Sequence, residues 1–389
     1  MIRKFFSHSS NEGLWQHKED GPLDSWFLIL VMALLTIGTV MMFSASYVYA
    51  SYYKDDSFYY LKRQLFFAVL GTVLMLLASK VKLSVYKKLA WPIIIIAGLL
   101  LFIVLFKHTK VEGSNESFRR WIGIGPITFQ PSDLAKFALI VFFAYIIDNN
   151  KERIEKDWRY MVFFLVIIAI ICGLVAAENH LSGTILLAGI GIAMTFLGGV
   201  NKKWYIFFIG AAIIGGALLI ANREVLPSYV QDRLNSWLDE TYNPTSSRWQ
   251  TNQSLYAIGS GGLFGTGLGA SKQKHLYLPE PHNDFIFAIV CEELGYIRTV
   301  GIILIFALFV YRGFYIGLRS KDRFTSLVVM GITFQVGLQT VLNIGVVTGM
   351  LPNTGISLPF FSYGGTALIT LMVEMGIVLS ASRGIKKEI

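Results

Sequence analysis

Cysteine and charge are both scarce in this sequence. Only two of the 389 residues are cysteine, Cys172 and Cys291, and each lies in an apolar run. That usage argues against a disulfide framework and against a cysteine-based metal site. Charged residues make up 15% of the chain, whereas soluble domains carry roughly 25%. The composition therefore argues against a soluble globular protein.

Nucleotide-binding signals are also missing. No GxxxxGK(S/T) segment, which cradles the phosphates in P-loop proteins, occurs anywhere in the chain. A formal net charge of +9 is compatible with nucleic-acid binding, but basic loops facing anionic membrane lipid explain it more simply. We therefore predict neither a nucleotide-driven activity nor a nucleic-acid partner.

Apolar residues, by contrast, make up 54% of the chain and come in blocks. A helix needs about 20 apolar residues to cross a hydrocarbon core, so the predicted fold is an all-α polytopic membrane protein with about ten transmembrane helices. The first run is too long for a cleaved signal peptide, and the fourth is short enough for a tilted or partly re-entrant helix. The ten predicted spans are 25–47, 61–79, 89–106, 134–148, 158–176, 181–199, 204–221, 284–311, 324–347 and 364–382.

The charge of the loops predicts the orientation of these spans. Loops on the side of the N-terminus carry 20 Lys and Arg residues, against 7 in the short and medium loops of the opposite side. Because cytoplasmic loops are enriched in Lys and Arg, both termini are predicted to be cytoplasmic. The predicted organisation is a cytoplasmic segment at 1–24, a membrane domain at 25–382 with a long extracytoplasmic loop at 222–283, and a cytoplasmic tail at 383–389. All motifs described below then lie on the outer side of the cytoplasmic membrane.

The first motif precedes the fourth span. Arg119 and Arg120 come before a Gln-Pro-Ser helix start, and Asp133 and Lys136 can pair at i, i+3. The arginines are candidates for holding a phosphate, although arginines at the interface more often meet lipid headgroups. A lysine inside a span is costly unless it is paired, so the Asp133–Lys136 pair either pins the helix end or serves a functional site.

Two further motifs contain a histidine and a run of glycines. Glu178 and His180 lie at the outer end of the fifth span, where a lone histidine more often makes a hydrogen bond in a turn than acts as a ligand or base. The segment 259–269 contains six glycines. It superficially resembles a dinucleotide loop but lacks the flanking βαβ unit. We expect these glycines to allow tight turns or close approach of the backbone to a ligand.

The fourth motif, 277–288, places Glu280, His282 and Asp284 just before a strongly apolar helix. Asp284 fits a helix N-cap, but more charges follow in the same span, and charges at membrane depth are functional candidates. At 100° per residue, Arg298 is predicted within about 40° of the Asp284 face, with Glu293 nearly opposite.

The fifth motif, 351–365, is apolar but broken by glycine and proline, and it includes Ser362. Irregular backbone at membrane depth is tolerated only where it lines a cavity or is buried in protein. On the ninth span, Gln335, Gln339 and Asn343 recur every four residues and predict a polar stripe that faces inward.

Three of these motifs resemble those of the SEDS family (shape, elongation, division and sporulation). The similar segments are Trp-x3-Gly-x3-Phe-Gln-Pro-Ser-acid-x2-Lys at 121–136, Pro-Glu-Pro-His-Asn-Asp-Phe-Ile-Phe-Ala at 279–288 and Leu-Pro-Phe-Phe-Ser-Tyr-Gly-Gly at 358–365. They occur in the family's order and cover essentially the whole chain. The first two spans are more similar to the division and sporulation members than to the elongation members.

The resemblance implies a peptidoglycan glycosyltransferase that polymerises lipid II on the outer leaflet and releases undecaprenyl pyrophosphate. It also implies a class B penicillin-binding protein as partner, together with other divisome or sporulation membrane proteins. The family's essential aspartate matches Asp284, and its acid–lysine pair matches Asp133 and Lys136, although position 133 is usually glutamate.

In the mechanism that we infer from this resemblance, Asp284 is the general base for a sugar hydroxyl. Arg119, Arg120 and Lys136 are the candidate cations for the departing pyrophosphate. The other predicted substrate-binding residues are Asp133, Glu178, His180, Glu280, His282 and Ser362. No cofactor is evident, and a divalent cation, Mg²⁺ or Mn²⁺, stays open because the sequence shows no ligand set for it.

Two other functions stay open on the sequence. A transporter that flips lipid II would also use intramembrane charges and broken helices, and Arg298 and Glu374 favour it. We expect Arg298 to pair with Glu292 or Glu374. A non-catalytic division scaffold is the third hypothesis. The crowding of motifs on one face favours the enzyme, since a flippase should carry charges through the depth of the membrane.

Overall fold

The computed structural model of the chain is almost entirely helical. It describes residues 21–109, 119–124, 127–200, 226–239 and 247–385, with isolated positions between 205 and 224. The described helices are α1 (Ser25–Lys54), α2 (Tyr59–Ala78), α3 (Leu83–Lys88), α4 (Ala90–Phe106), α5 (Pro131–Asn149), α6 (Lys151–Ile154), α7 (Trp158–Ala177), α8 (Leu181–Leu197), α9 (Ser228–Leu238), α10 (Ser247–Gly261), α11 (Ile286–Leu318), α12 (Arg323–Val347) and α13 (Gly365–Ser382). The described sheet is an antiparallel hairpin of β1 (Ile122–Ile124) and β2 (Ile127–Phe129), with Gly123 opposite Thr128.

Helix length and composition agree with the predicted polytopic membrane fold. In the described part of the chain, six helices are long and apolar enough to span a bilayer: α1, α2, α7, α11, α12 and α13. Helices α4 and α8 are apolar and 17 residues long, or about 25 Å at 1.5 Å per residue. The predicted seventh span, 204–221, lies largely outside the described residues.

Helix α5 corrects the prediction for the fourth span. It runs without a break for 19 residues, with Pro131 in its first turn, so the helix is neither short nor re-entrant. Proline is tolerated at this end because its missing amide would have no helical partner there. Thirteen of the 19 residues are buried, since α4, α8 and α12 pack around the helix. The first turn, with Asp133 and Lys136, therefore lies in the interior of the bundle.

The predicted long loop at 222–283 contains two helices, α9 and α10, although it lacks the long apolar runs that indicate membrane spans. Helix α10 packs along α11. Side chains of α9 bond to the backbone just after α12: Arg233 Nη1 donates to Asn353 O (2.8 Å) and Trp237 Nε1 donates to Gly349 O (3.0 Å). The loop thus folds back over the end of the bundle where α12 ends and α13 begins.

Helix α11 is broken at Gly295, whose φ of 75° and ψ of 177° are not helical. The glycine-rich segment 261–267 packs against the break and replaces the lost intrahelical hydrogen bonds, as buried backbone requires. The replacement bonds are Thr266 N to Glu292 O (2.9 Å), Gly267 N to Glu293 O (3.0 Å), Tyr296 N to Gly262 O (2.9 Å) and Ile297 N to Leu263 O (3.2 Å). The glycines do allow close approach, but to the backbone of α11.

The break also overturns the predicted arrangement of charges around this helix. Asp284 lies before α11 rather than in it, so a spacing of 100° per residue does not relate it to Arg298. Arg298 is exposed, and its Nη1 donates to Phe264 O at 3.1 Å. The predicted pairing of Arg298 with Glu292 or Glu374 is therefore wrong.

A buried ion pair lies beside the break. Lys274 Nζ is 2.8 Å from Glu293 Oε1, and both side chains are fully buried. Ser44 Oγ donates to the same carboxylate at 2.6 Å. The preceding Glu292 accepts from Ser271 Oγ at 2.5 Å. Two consecutive carboxylates of α11 thus attach both α1 and the end of the long loop to the broken helix.

Removing the cation of this pair should destabilise the fold. We expect Lys274→Met to lower the free energy of unfolding by about 3–5 kcal/mol, because Glu293 would remain buried without its partner. Lys272→Met, at an exposed position two residues away, is the control and should change stability by less than about 0.5 kcal/mol. Thermal unfolding of the purified protein in detergent measures both. Equal stability of the two variants would contradict the structural importance of the pair.

Candidate active site

Motifs that are far apart in the sequence meet at one end of the bundle. Ser362 Oγ donates to Asn283 O (2.8 Å) and accepts from the amide of residue 358 (2.7 Å). The amide of Tyr363 donates to His282 O (2.9 Å). These bonds fasten the fifth motif to the fourth, and they occupy the hydroxyl of Ser362, whose substrate contact stays a prediction.

Asp284 occupies the turn that leads into α11 and is partly exposed. The N-cap residue of α11 is Phe285, without a side-chain cap, so the N-cap reading of Asp284 is wrong. Asn343 Nδ2 donates to the main-chain oxygen of Asp284 at 2.7 Å. Gly355 lies so close that a Cβ there would be 3.0 Å from Asp284 Oδ2. The backbone of Asp284 is therefore held from α12, while its carboxylate faces the loop that precedes α13.

Arg120 and Arg233 both act on this carboxylate. Burial raises the pKa of Asp284, and the charges of the two arginines oppose that rise. Arg120 Nη2 donates to Asn179 O, and Arg233 Nη1 donates to Asn353 O at 2.8 Å. Burial lowers the pKa of Arg120 to about 10, so it stays charged at neutral pH. Asp284 is thus combined with two guanidinium groups, which suit phosphate binding.

Arg233 belongs to none of the motifs that the sequence singles out. It lies in α9, inside the loop that hydropathy treats as one polar stretch. The available signal was the amphipathic pattern of 228–238, which predicts a helix with one inward face. Arg119, by contrast, is exposed, and its Nη1 lies 3.5 Å from Leu105 O. The second cation acting on Asp284 is therefore Arg233 rather than Arg119.

His282 and Glu280 shape the turn before Asp284. His282 is buried, and burial lowers its pKa to about 3, so its ring is neutral. Three tyrosine rings surround it at centroid distances of 4.4 to 5.9 Å: Tyr49, Tyr60 and Tyr363. Glu280 Oε2 accepts from Asn283 Nδ2 at 2.9 Å, and burial raises its pKa. These contacts brace the turn, and a substrate contact by either residue stays a prediction.

Glu178 and His180 lie on the other side of Arg120. Both are buried, and burial raises the pKa of Glu178 to about 8 against the charge of Arg120. The ring of His180 is 3.3 Å from Gln130 Nε2 and 3.4 Å from Ser132 Oγ. Burial lowers the pKa of His180 well below its ordinary value. Both side chains are therefore mostly neutral at neutral pH, and their part in substrate binding stays a prediction.

The predicted pair on α5 forms, with Lys136 Nζ 2.9 Å from Asp133 Oδ1. Aspartate thus reaches the lysine directly although the family usually has glutamate there. The predicted polar stripe of α12 also faces inward. Its three amides donate to neighbouring segments: Gln335 to Glu374 Oε2 (2.9 Å), Gln339 to Ser357 O (3.0 Å) and Asn343 to Asp284 O (2.7 Å).

A metal centre built by the protein alone does not fit this site. In the part of the chain that the structure describes, no group of three or more His, Cys, Asp and Glu side chains could hold a metal ion. The charged groups that act on Asp284 are mostly guanidinium cations, which repel a metal ion.

These features define the protein as a polytopic helical membrane protein whose polar site combines a carboxylate with guanidinium groups at one end of the bundle. The chain belongs to the family of cell cycle proteins that comprises FtsW, RodA and SpoVE, because the family model matches residues 25–387. The resemblance to the SEDS family that the motifs indicate is thereby confirmed.

Individual relatives cover nearly the whole chain. It is 38% identical over 368 residues to stage V sporulation protein E of Bacillus subtilis (strain 168), which is 94% of this chain and 98% of that protein. It is 36% identical over 365 residues to the probable peptidoglycan glycosyltransferase FtsW of Trichlorobacter lovleyi, covering 93% of this chain and 94% of that protein.

Solved structures share the fold. A chain of a peptidoglycan synthase complex, described for its structural coordination of polymerization and crosslinking, matches with a TM-score of 0.76 and 26% identity over 93% of this chain and 98% of its own. The rod shape determining protein RodA of Thermus thermophilus matches with a TM-score of 0.68 and 26% identity, over 94% of this chain and 98% of its own.

Proposed function

We propose that the protein is a peptidoglycan glycosyltransferase that polymerises lipid II into glycan strands for cell division or sporulation. The observation that carries this proposal is the Asp284 carboxylate, which interacts with Arg120 and Arg233 at the mouth of a membrane bundle. The name of one relative, a probable peptidoglycan glycosyltransferase, supports this activity, and the name of another, a stage V sporulation protein, supports the role in sporulation.

The reaction joins a GlcNAc 4-hydroxyl to C1 of a lipid-linked MurNAc. The hydroxyl oxygen forms a bond to C1, the bond from C1 to the pyrophosphate oxygen breaks, and undecaprenyl pyrophosphate leaves with the electron pair. Asp284 takes the hydroxyl proton as general base, a contribution of about 10² to 10⁴ in rate. Arg120 and Arg233 bind the leaving pyrophosphate through charge-assisted hydrogen bonds. Lys136 is the further candidate cation.

The site is proposed to face the outside of the cytoplasmic membrane, as the distribution of Lys and Arg in the loops predicts. There the bilayer holds the lipid tail of the substrate and presents its sugars to Asp284. A class B penicillin-binding protein is the proposed partner for crosslinking, with other divisome or sporulation proteins around it. The similarity of fold to a chain of a peptidoglycan synthase complex supports such an assembly. Mg²⁺ or Mn²⁺ would arrive with the substrate pyrophosphate, since no three His, Cys, Asp or Glu side chains come together as a metal-ion site in the described part of the chain.

Transport of lipid II has less support than polymerisation. Arg298, one of the charges in its favour, is exposed and bonded to the backbone of the long loop. Glu374 is bonded to Gln335 within the bundle. Translocation of lipid II in proteoliposomes without any polymer would favour the transporter.

Incubation of the purified protein with labelled lipid II tests the enzyme hypothesis. Glycan chains that a muramidase digests are the expected product, with a yield that rises when the transpeptidase partner is added. Absence of polymer both with and without the partner would contradict the proposed function.

The pH dependence of the rate tests the role of the arginines. Only the deprotonated carboxylate accepts a proton, so the rate should rise with pH through the pKa of Asp284, which burial raises above the ordinary value for aspartate. Arg233→Gln removes a charge that lowers this pKa, so the acid limb of kcat/KM should move to higher pH. The lost charged hydrogen bond should also lower kcat/KM by about 10- to 100-fold.

Arg153→Gln is the matched control for that experiment. Arg153 is exposed in α6, at the opposite end of the bundle, so its loss should leave the pH profile and kcat/KM unchanged. An unshifted acid limb in Arg233→Gln would show that Arg233 does not act on the base.

A further inference from the structure

A small cavity lies inside the bundle, below the loop 357–364. Its volume is about 60 Å³, which exceeds the roughly 10–15 Å³ that a site needs to hold one water molecule and leaves room for an ion with water. Side chains of α5, α12 and α13 line it: Asp133, Lys136, Gln335, Gln339 and Glu374. Asp284, Arg120 and Arg233 are not among its lining residues, so the cavity lies beside the proposed reaction centre and shares with it only the candidate residues Asp133, Lys136 and Ser362.

Three oxygen atoms on residues that line the cavity are buried and have no hydrogen-bond donor among the described residues. Glu374 is 1% exposed, and its Oε2 accepts from Gln335 whereas its Oε1 has no donor. Gln335 is 4% exposed, and its Oε1 likewise has no donor. The third atom is Asp133 Oδ2, whose partner oxygen Oδ1 pairs with Lys136. The three residues come from three different helices.

The formal charges around the cavity do not cancel. With both carboxyls ionised, Asp133 and Glu374 would carry two negative charges against the one positive charge of Lys136, and the other lining groups, including Tyr363, are neutral. A charge left over in the interior of a membrane protein is costly unless an opposite charge neutralises it. One additional positive charge balances the cavity, whereas a divalent ion would leave an excess of positive charge beside the ammonium of Lys136.

We propose that this cavity binds a sodium ion through Glu374 Oε1, Gln335 Oε1 and Asp133 Oδ2. Carboxylate and amide oxygens are the ligands that hard cations prefer, and water can complete the coordination. A proton on Glu374 would also balance the charge, but a proton bonds to fewer of the three oxygens than a metal ion does. The bound ion joins α5, α12 and α13 directly below the loop that meets the fourth motif. This role lies outside the proposed glycosyltransferase chemistry.

Thermal unfolding of the full-length protein in detergent tests the proposal. The unfolding temperature is measured in sodium chloride and in choline chloride at equal ionic strength and fixed pH. Sodium at ten times its dissociation constant should raise the unfolding temperature by about 2 °C relative to choline. Glu374→Gln should abolish this difference. Glu155→Gln, an exposed change of the same chemistry, should retain it.

Gln335→Met provides a second variant in case Glu374→Gln does not fold. It removes one oxygen ligand without changing the charge, so the sodium concentration that gives half of the stabilisation should rise about tenfold, which is about 1.4 kcal/mol. Equal stability of the wild type in sodium and choline would overturn the proposal. So would a sodium effect that persists in Glu374→Gln, a magnesium effect that exceeds that of sodium, or a stabilisation that depends on pH alone, which would identify a proton on Glu374.

Discussion

Asp284→Ala is expected to lower the rate of lipid II polymerisation by about 10² to 10⁴-fold, because the attacking hydroxyl loses its general base. Asp284→Asn should cause a similar loss, although the amide is nearly the same size and shape as the carboxylate. The structural contact of this residue is made by its main-chain oxygen with Asn343, and both variants keep it. The loss should therefore appear in kcat with little change in the unfolding temperature.

A second carboxylate at the same end of the bundle serves as the control. Asp56 lies in the turn between α1 and α2 and pairs with Lys62 at 2.9 Å on the surface. Such exposed pairs contribute little to stability, so Asp56→Asn should polymerise lipid II at the wild-type rate. Polymerisation by Asp284→Asn at the same rate as Asp56→Asn would show that Asp284 is not the base.

Gly295→Ala is expected to prevent formation of the native bundle, with a cost above about 4 kcal/mol. A Cβ at this position would lie 2.1 Å from the amide nitrogen of Gly265, and the nearest atoms are all backbone atoms of 263–265, which cannot move aside as a flexible side chain could. The φ of 75° with ψ of 177° is also a conformation that is essentially restricted to glycine. The yield of monodisperse protein in detergent and its unfolding temperature measure the effect.

Gly301→Ala is the matched control, six residues further along the same helix. No atom lies within 4 Å of a Cβ built there, and alanine in a helix is favoured over glycine by about 1 kcal/mol. Gly301→Ala should therefore be as stable as the wild type or slightly more stable. If Gly295→Ala matched Gly301→Ala in yield and unfolding temperature, the break in α11 would not be an essential feature of the fold.

The spans that hydropathy predicts reappear as helices wherever the structure describes the residues. The bilayer imposes this agreement, because each helix that crosses it must carry a long apolar run. The prediction of spans was weakest where polar residues lie inside a span. In α5, Asp133 and Lys136 made the run look short, yet their mutual pairing allows the helix to continue through its polar first turn.

The sequence motifs also indicated which residue is the candidate base. Asp284 follows from the resemblance of 279–288 to the SEDS motif, and the structure places it at a turn where three of the motifs meet. Its contacts could not be inferred in the same way. Asn343 holds its backbone from α12, and the N-cap that the local sequence favours for Asp284 belongs to Phe285.

By itself, the sequence determined the membrane class, the family, most of the spans and the choice of Asp284 as the candidate base. Apolar runs and local motifs consist of consecutive residues and can therefore be recognised in the sequence. Only the tertiary structure decided that Arg233 rather than Arg119 acts on Asp284, that Lys274 neutralises Glu293 and that Glu374 meets Gln335. Each of these pairings depends on the long loop folding back over the bundle, on the break at Gly295 or on the packing of separate helices. Such contacts join positions that are distant in the chain and leave no periodic signal in the sequence.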